Sequence, residues 1–151
     1  MTGKITLVVR RTIRATPERL FEAWTEPTQL VKWWGPRPIT CAEAQVDLRV
    51  GGAYRIANRL PDESLLWISG EFEAVDRPHR LVYTWRVETQ PSVLERVTVQ
   101  FEPSGDATEV IVMHQRIPDE ATRKQHHSGW EGCLDGLANY AERVATAGSS
   151  E

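Results

Sequence analysis

The sequence predicts an α+β fold in which a curved, seven-stranded antiparallel sheet wraps around one long C-terminal helix, with two short helices between strands 1 and 2. Apolar residues recur with a period of two over most of residues 39–116, which is typical of half-buried strands. Short turns separate these strands, so neighbours in sequence are expected to be neighbours in the sheet. After residue 118 the spacing changes to three and four, which indicates a long amphipathic helix covering the apolar face of the sheet.

The length and composition of the chain fit one globular domain. Of its 151 residues, 40% are hydrophobic and 26% are charged, so the chain can bury a core. The formal net charge is -3 with both signs interspersed, which argues against nucleic acid as a partner. The chain starts without an apolar signal segment and its apolar runs are too short to cross a bilayer, so we expect a cytoplasmic protein without a membrane partner. We place the domain at residues 1–147 and expect a disordered tail at residues 148–151.

The first strand is predicted over residues 5–14, where β-branched residues dominate. The dipeptide Thr16-Pro17 then begins a short helix over residues 17–25, because threonine caps helix N-termini and proline fits the first helical position. A second short helix follows from Thr28 to Trp34.

Six further strands follow, each bounded by a turn rich in glycine, proline, aspartate or serine. They are predicted over residues 39–48, 53–60, 66–75, 81–87, 97–101 and 108–116. The last strand places His114 on the apolar face, two residues after Val112, and Ile111 and Met113 on the opposite face. The long helix begins near Pro118. Its predicted buried stripe consists of Trp130, Cys133, Leu134, Leu137, Ala141 and Val144.

Several motifs together resemble a known family. They are the segment 15–24, Trp33-Trp34-Gly35-Pro36, the segment 47–52, Gly70-Glu71-Phe72, the segment 80–85 and Gly129-Trp130. In this order, over nearly the whole chain, they resemble the bacterial proteins related to the C-terminal domain of the Hsp90 ATPase activator Aha1. That family lies in the START/Bet v 1-like (SRPBCC) superfamily, whose fold is the helix-grip. The resemblance implies binding of a hydrophobic or amphipathic small molecule. A minority of the superfamily are cyclases or hydrolases, and some eukaryotic relatives stimulate Hsp90.

The inward face of the sheet and the facing helix stripe are predicted to enclose an apolar cavity that binds such a ligand. The residues predicted to bind it are Trp34, Tyr54, Tyr83, Trp85, His114, Trp130 and Leu134. The alternative for each aromatic residue is that it fills the core. Within this set we predict that Trp85, His114 and Trp130 border the cavity.

His114 is the candidate for a catalytic role, as a general base, and a hydrogen-bonded core histidine is the alternative. Its inward neighbours are predicted to be apolar. The polar groups expected within reach are the phenols of Tyr54 and Tyr83 and the indole of Trp130, and none of them is a carboxylate. Because a catalytic base needs a second group to orient it or to stabilise charge, this environment favours ligand binding over catalysis.

Other polar residues give weaker indications of a functional site. His126 and His127 are predicted to be a surface pair, because adjacent helical residues point about 100° apart and share a metal ion poorly. No motif indicates a metal site or a cofactor, so neither is expected. Cys41 and Cys133 are expected to be reduced thiols. Arg11 falls on the apolar face of strand 1, where we expect an internal ion pair.

Three functions remain open. The first is a non-enzymatic carrier or sensor of a small apolar or amphipathic ligand. The second is a cofactor-free cyclase or hydrolase acting on an aromatic or polyketide-like substrate, which two titratable groups converging inside the cavity would favour. The third is an Hsp90 co-chaperone-like interaction module. Exposure of Ile111 and Met113 on the outer face would also favour a weak homodimer.

Overall fold

The computed structural model describes residues 5–35, 38–90 and 93–149. In these ranges the chain forms β1 (Ile5–Ile13), α1 (Pro17–Thr25), α2 (Pro27–Trp33), β2 (Thr40–Val46), β3 (Ala53–Arg59), β4 (Leu65–Asp76), β5 (Arg80–Val87), β6 (Glu95–Ser104), β7 (Ala107–Ile117) and α3 (Glu120–Ser149). The predicted α+β helix-grip fold, with its two short helices between the first two strands, is confirmed. Among the described residues, no helix combines the length and the hydropathy that a membrane crossing requires.

The seven strands form one antiparallel sheet in the order β1-β7-β6-β5-β4-β3-β2. Strands β2 to β7 therefore lie beside their neighbours in sequence, as their short turns predict. Strand β1 pairs with the last strand, β7, so β1 and β2 are the two edges of the sheet. The segment containing α1 and α2 carries the chain from one edge to the other.

Helix α3 packs against β1 and β7 on the sheet and against α1 and α2. Its leucine stripe is buried as predicted, with Leu134 and Leu137 almost inaccessible to solvent. Gly136 allows α3 to approach α2 closely, because a Cβ atom at this position would lie 2.6 Å from the carbonyl oxygen of Trp33. The interface between the two helices therefore depends on a residue without a side chain.

Most element boundaries differ from the prediction by one to three residues, and two of these differences change the interpretation of the chain. Strand β6 begins at Glu95, two residues before the predicted start, because Glu95 continues the inward phase of Val97 and Val99. Helix α3 extends to Ser149, two residues into the segment predicted as a tail. The last two residues of that segment and Pro36 of the tryptophan motif lie outside the described residues.

Two surface predictions hold in part. Arg11 forms an ion pair with Asp135 of α3, but both side chains are substantially exposed, at 41% and 62%. The pair lies at the rim because β1 is an edge strand, so its inner face meets the margin of the helix. On the outer face, Ile111 and Met113 are half-buried, and Val8, which pairs with Met113, is more exposed than either.

Candidate functional site

A cavity of about 120 Å³ lies between the first half of α3 and strands β3 to β5, and we call it the main cavity. Its walls include Trp34, Asn58, Ile68, Trp85, His126 and Trp130. A second void of about 20 Å³, the small cavity, lies under α1 and is bordered by Trp24, Tyr54, Phe72, Tyr83 and Trp85. Trp34 and Trp85 border both voids.

Trp34 lies between the main cavity and a wider cleft. Its ring borders the main cavity and also a wider cleft of about 570 Å³ between α2 and α3. The indole Nε1–H of Trp34 donates to Oδ1 of Asn58 at 3.0 Å, which fixes the ring against β3.

The predicted ligand-binding residues separate into three groups. Trp34, Trp85 and Trp130 border the main cavity, whereas Tyr54 and Tyr83 border the small cavity. His114 and Leu134 border neither. Leu134 packs on the β1 side of α3 beside Val9. His114 points inward as its phase predicts, but it is fully buried among the rings of Trp85, His126 and Trp130.

Glu95, His114 and His126 form a buried cluster beside the main cavity, the Glu95–histidine cluster. Oε1 of Glu95 accepts hydrogen bonds from Nε2–H of His114 at 2.5 Å and from Nε2–H of His126 at 2.9 Å. The two imidazole rings stack with their centroids 4.4 Å apart. Trp130 completes the arrangement by donating its Nε1–H to Nδ1 of His114 at 3.0 Å.

The hydrogen bond from Trp130 determines the protonation of His114. An indole nitrogen can only donate, so Nδ1 of His114 must accept, and the ring proton lies on Nε2. Burial lowers the pKa of His114 below its usual value, despite the opposing effect of Glu95. His114 is therefore held neutral with both nitrogens occupied. It has no lone pair for a general base, which corrects the prediction of His114 as the catalytic candidate.

Glu95 is the functional residue that the sequence analysis missed. The prediction that no carboxylate lies near His114 is wrong, because Glu95 reaches it with a side chain only 4% exposed. Burial alone would raise the pKa of Glu95, but hydrogen bonds from the two histidines together hold that pKa below its usual value. The sequence feature that could have identified Glu95 is its spacing of two from Val97, which places this acidic residue on the inner face of the sheet.

His126 also differs from the prediction of a surface pair. Its side chain is 15% exposed and borders the main cavity, whereas the side chain of His127 is 44% exposed and pairs with Glu131. The two rings do point apart, as expected for adjacent helical residues. The prediction of a surface position for His126 was wrong because this residue precedes Trp130 by four and so continues the inward stripe of α3.

The cluster has the residue types of a metal site, but its hydrogen bonds do not fit one. The ligand atoms of Glu95, His114 and His126 all lie within 4.8 Å of one another. Metal coordination by Nε2 of His114 would move the ring proton to Nδ1, where it would face the N–H of Trp130. Two donors would then oppose each other in a buried site. The arrangement suits a hydrogen-bonded network, and the absence of a metal stays a prediction.

Trp85 supplies an unused hydrogen-bond donor. Its Nε1 is buried and has no hydrogen-bond partner among the described residues. Its ring lies 5.0 Å from that of His114 and 4.9 Å from that of His126, centroid to centroid. An unpaired buried donor costs about 1–3 kcal/mol, so a ligand acceptor that pairs with it would gain affinity. In contrast, burial raises the pKa of the Cys133 thiol in the same wall to about 12, so this thiol is no nucleophile near neutral pH.

Comparisons with known proteins agree with this architecture. The chain resembles the crystal structure of protein CV1439 from Chromobacterium violaceum, with 26% identity, a TM-score of 0.83 and coverage of 91% of this chain and 96% of that one. It also resembles an AHSA1 protein from Silicibacter pomeroyi, with 23% identity, a TM-score of 0.79 and coverage of 95% and 99%. No curated protein matches the chain significantly in sequence.

The family of the chain follows from a match to its sequence. Residues 14–142 match the family described as Activator of Hsp90 ATPase homolog 1-like protein, and this match includes the whole Glu95–histidine cluster and the walls of both cavities. Proteins with this fold commonly bind hydrophobic ligands. The chain belongs to the Activator of Hsp90 ATPase homolog 1-like family, and its fold is consistent with the SRPBCC superfamily.

Proposed function

We propose that the protein binds a small hydrophobic or amphipathic ligand in the main cavity and acts as a carrier or sensor without transforming that ligand. The observation that carries the proposal is the buried, unpaired Nε1–H of Trp85 in a wall made largely of indole rings and aliphatic side chains. An apolar ligand body would pack against these walls, and one acceptor atom would pair with Trp85.

The volume of the main cavity restricts what can enter it. An apolar cavity of roughly 150 Å³ in another protein holds benzene. The main cavity, at about 120 Å³, therefore suits a single ring or a short chain. A larger ligand body would extend past Trp34 into the wider cleft between α2 and α3.

Calorimetric titration with toluene, indole and 1-hexanol tests this proposal. Gly129 borders the main cavity and a Cβ there would meet no atom within 4 Å, so Gly129→Leu is expected to fill the void and abolish binding. Glu131→Leu, on the exposed side of the same helix, is the matched control and should bind as the original chain does. Failure of all three compounds to bind, or equal binding by Gly129→Leu, would overturn the proposal.

Cofactor-free catalysis on an aromatic substrate is the second candidate, and the Glu95–histidine cluster favours it. Glu95 and His126 are two titratable groups that converge beside the cavity, which is the feature that distinguishes an enzyme from a carrier. Turnover of aromatic esters that His126→Gln abolishes, with the fold and toluene binding retained, would replace the carrier proposal. The Hsp90 co-chaperone hypothesis stays a prediction.

A further inference from the structure

We infer that His126 and Trp85 form a paired acceptor and donor that bind a phenolic hydroxyl group at the buried end of the ligand. The inference rests on the proposed binding of a ligand in the main cavity. It names the polar group that this cavity recognises and the two side chains that recognise it.

Glu95 determines which nitrogen of His126 is available. A carboxylate only accepts hydrogen bonds, so Nε2 of His126, at 2.9 Å from Oε1, must carry the proton of the neutral ring. Nδ1 then holds the lone pair. Within the described part of the chain Nδ1 forms no hydrogen bond, whereas Nδ1 of His114 is already paired with Trp130. His126 therefore has the one free imidazole acceptor of the cluster, and its ring borders the main cavity.

The ring of His126 is held in place by a chain of buried groups. Trp130 fixes the ring of His114, His114 fixes Glu95, and Glu95 accepts from His126. Stacking on His114 adds a second restraint, with the ring planes inclined by 21°. A charged acceptor behind the ring also polarises it, which makes Nδ1 a stronger acceptor. The site is thus organised before a ligand binds, which reduces the cost of ordering it.

A hydroxyl group can pair with the acceptor of His126 and with the donor of Trp85 at the same time. The ligand O–H donates to Nδ1 of His126, and the same oxygen accepts from Nε1–H of Trp85. The centroids of the Trp85 and His126 rings are 4.9 Å apart. A carbonyl oxygen or an ether would pair with Trp85 alone. A carboxylate has no proton to donate and would be repelled by Glu95. The indole walls and the volume of about one ring favour a hydroxyl carried on an aromatic ring.

Calorimetric titration of the full chain at about pH 8 with phenol, anisole and toluene tests the inference. We expect phenol to bind about tenfold more tightly than anisole or toluene, since one good hydrogen bond contributes about a decade of affinity. Anisole is the critical comparison, because it keeps the ring and the oxygen but lacks the proton that His126 would accept.

Variants at the adjacent histidines assign the effect to a residue. His126→Phe should abolish the preference for phenol over anisole, whatever its effect on the affinity for a ring in general, whereas His127→Phe on the exposed side should retain the tenfold preference. If toluene binds and phenol binds no better than anisole, the inference is wrong and the proposed function survives. If none of the three ring compounds binds, the inference fails, and the proposed function fails with it when indole and 1-hexanol do not bind either. Because the comparison of phenol with anisole uses the unaltered chain, it decides the question even if His126→Phe does not fold.

Discussion

The inner face of the sheet has two halves that are built differently. The half formed by β1, β6 and β7 is dominated by aliphatic side chains and is packed to near-complete exclusion of solvent. Its members include Ile13, Val97, Val99, Val110 and Val112, together with Phe101. The half formed by β3, β4 and β5, which we call the aromatic half, mixes aliphatic side chains with four large rings that retain slight exposure, those of Tyr54, Phe72, Tyr83 and Trp85. Both voids border the aromatic half.

The shapes of the side chains explain this difference. Branched aliphatic side chains stand upright on a sheet and interlock with the leucines of α3, which packs on β1 and β7. Large flat rings meet edge to face, as Tyr54 and Tyr83 do with centroids 5.1 Å apart, and such contacts leave gaps that no neighbour fills. Stability therefore resides mainly in the aliphatic half, and recognition of a ligand in the aromatic half.

The largest expected effect is on the aliphatic half. Leu134→Ala should lower the free energy of unfolding by about 2–5 kcal/mol, because Leu134 is 1% exposed and its truncation leaves a hole between α3 and β1. Leu65→Ala, at a leucine that is 47% exposed, is the control and should cost less than about 0.5 kcal/mol. Chemical denaturation measures both. Equal small losses would show that α3 is not packed as described.

Acidification should act through the Glu95–histidine cluster, whose Glu95 and His114 lie on β6 and β7 beside Trp85 of the aromatic half. The folded-state pKa of His114 is lowered by burial, so below about pH 6.5 the unfolded chain binds a proton that the folded chain does not, and stability falls as pH falls. The lowered pKa of Glu95 adds a loss of the same sign below about pH 4.3. Urea denaturation from about pH 7.5 to 5 should show a decreasing midpoint. The decrease should be smaller in His114→Asn, and an identical profile in this variant would contradict the assignment.

Removal of the unpaired donor should change ligand affinity more than stability. Trp85→Phe keeps a ring in the wall but removes the N–H, so phenol affinity should fall by about tenfold or less while toluene affinity stays constant. The free protein should lose little stability, because no existing hydrogen bond is broken. Trp67→Phe, at a tryptophan that stacks with Arg55, is the matched control. Loss of toluene binding in Trp85→Phe would indicate that the ring, and not the donor, is the important feature.

The smallest effect is expected on the outer face. Ile111→Lys should change the free energy of unfolding by no more than about 0.5 kcal/mol, because the residue is only half-buried and faces away from α3. If the proposed weak homodimer forms through this face, the substitution should reduce the mass measured by light scattering at micromolar concentration. A monomeric mass for the unaltered chain would remove the dimer proposal.

The spacing of apolar residues and the residue types in the turns were sufficient to predict the fold, because the inward phase of each strand is repeated over several residues. The site was harder to predict, because it depends on contacts between side chains distant in sequence. His114 was correctly placed inward, but only the indole of Trp130 shows that it is neutral and fully paired. Glu95 has the inward spacing of two from Val97, but an acidic residue at the start of a strand is equally compatible with an exposed end, and only its contacts with His114 and His126 show that it is buried.

Gly129 shows how the cavity and the stability of the chain oppose each other. Glycine inside a helix costs about 0.5–1 kcal/mol relative to alanine, and an added methyl group at this position would meet no atom within 4 Å. Gly129→Ala should therefore make the protein more resistant to heat and, in the same step, leave less room for a ring in the main cavity. A screen for thermostable variants of this chain would tend to select residues that close its binding site.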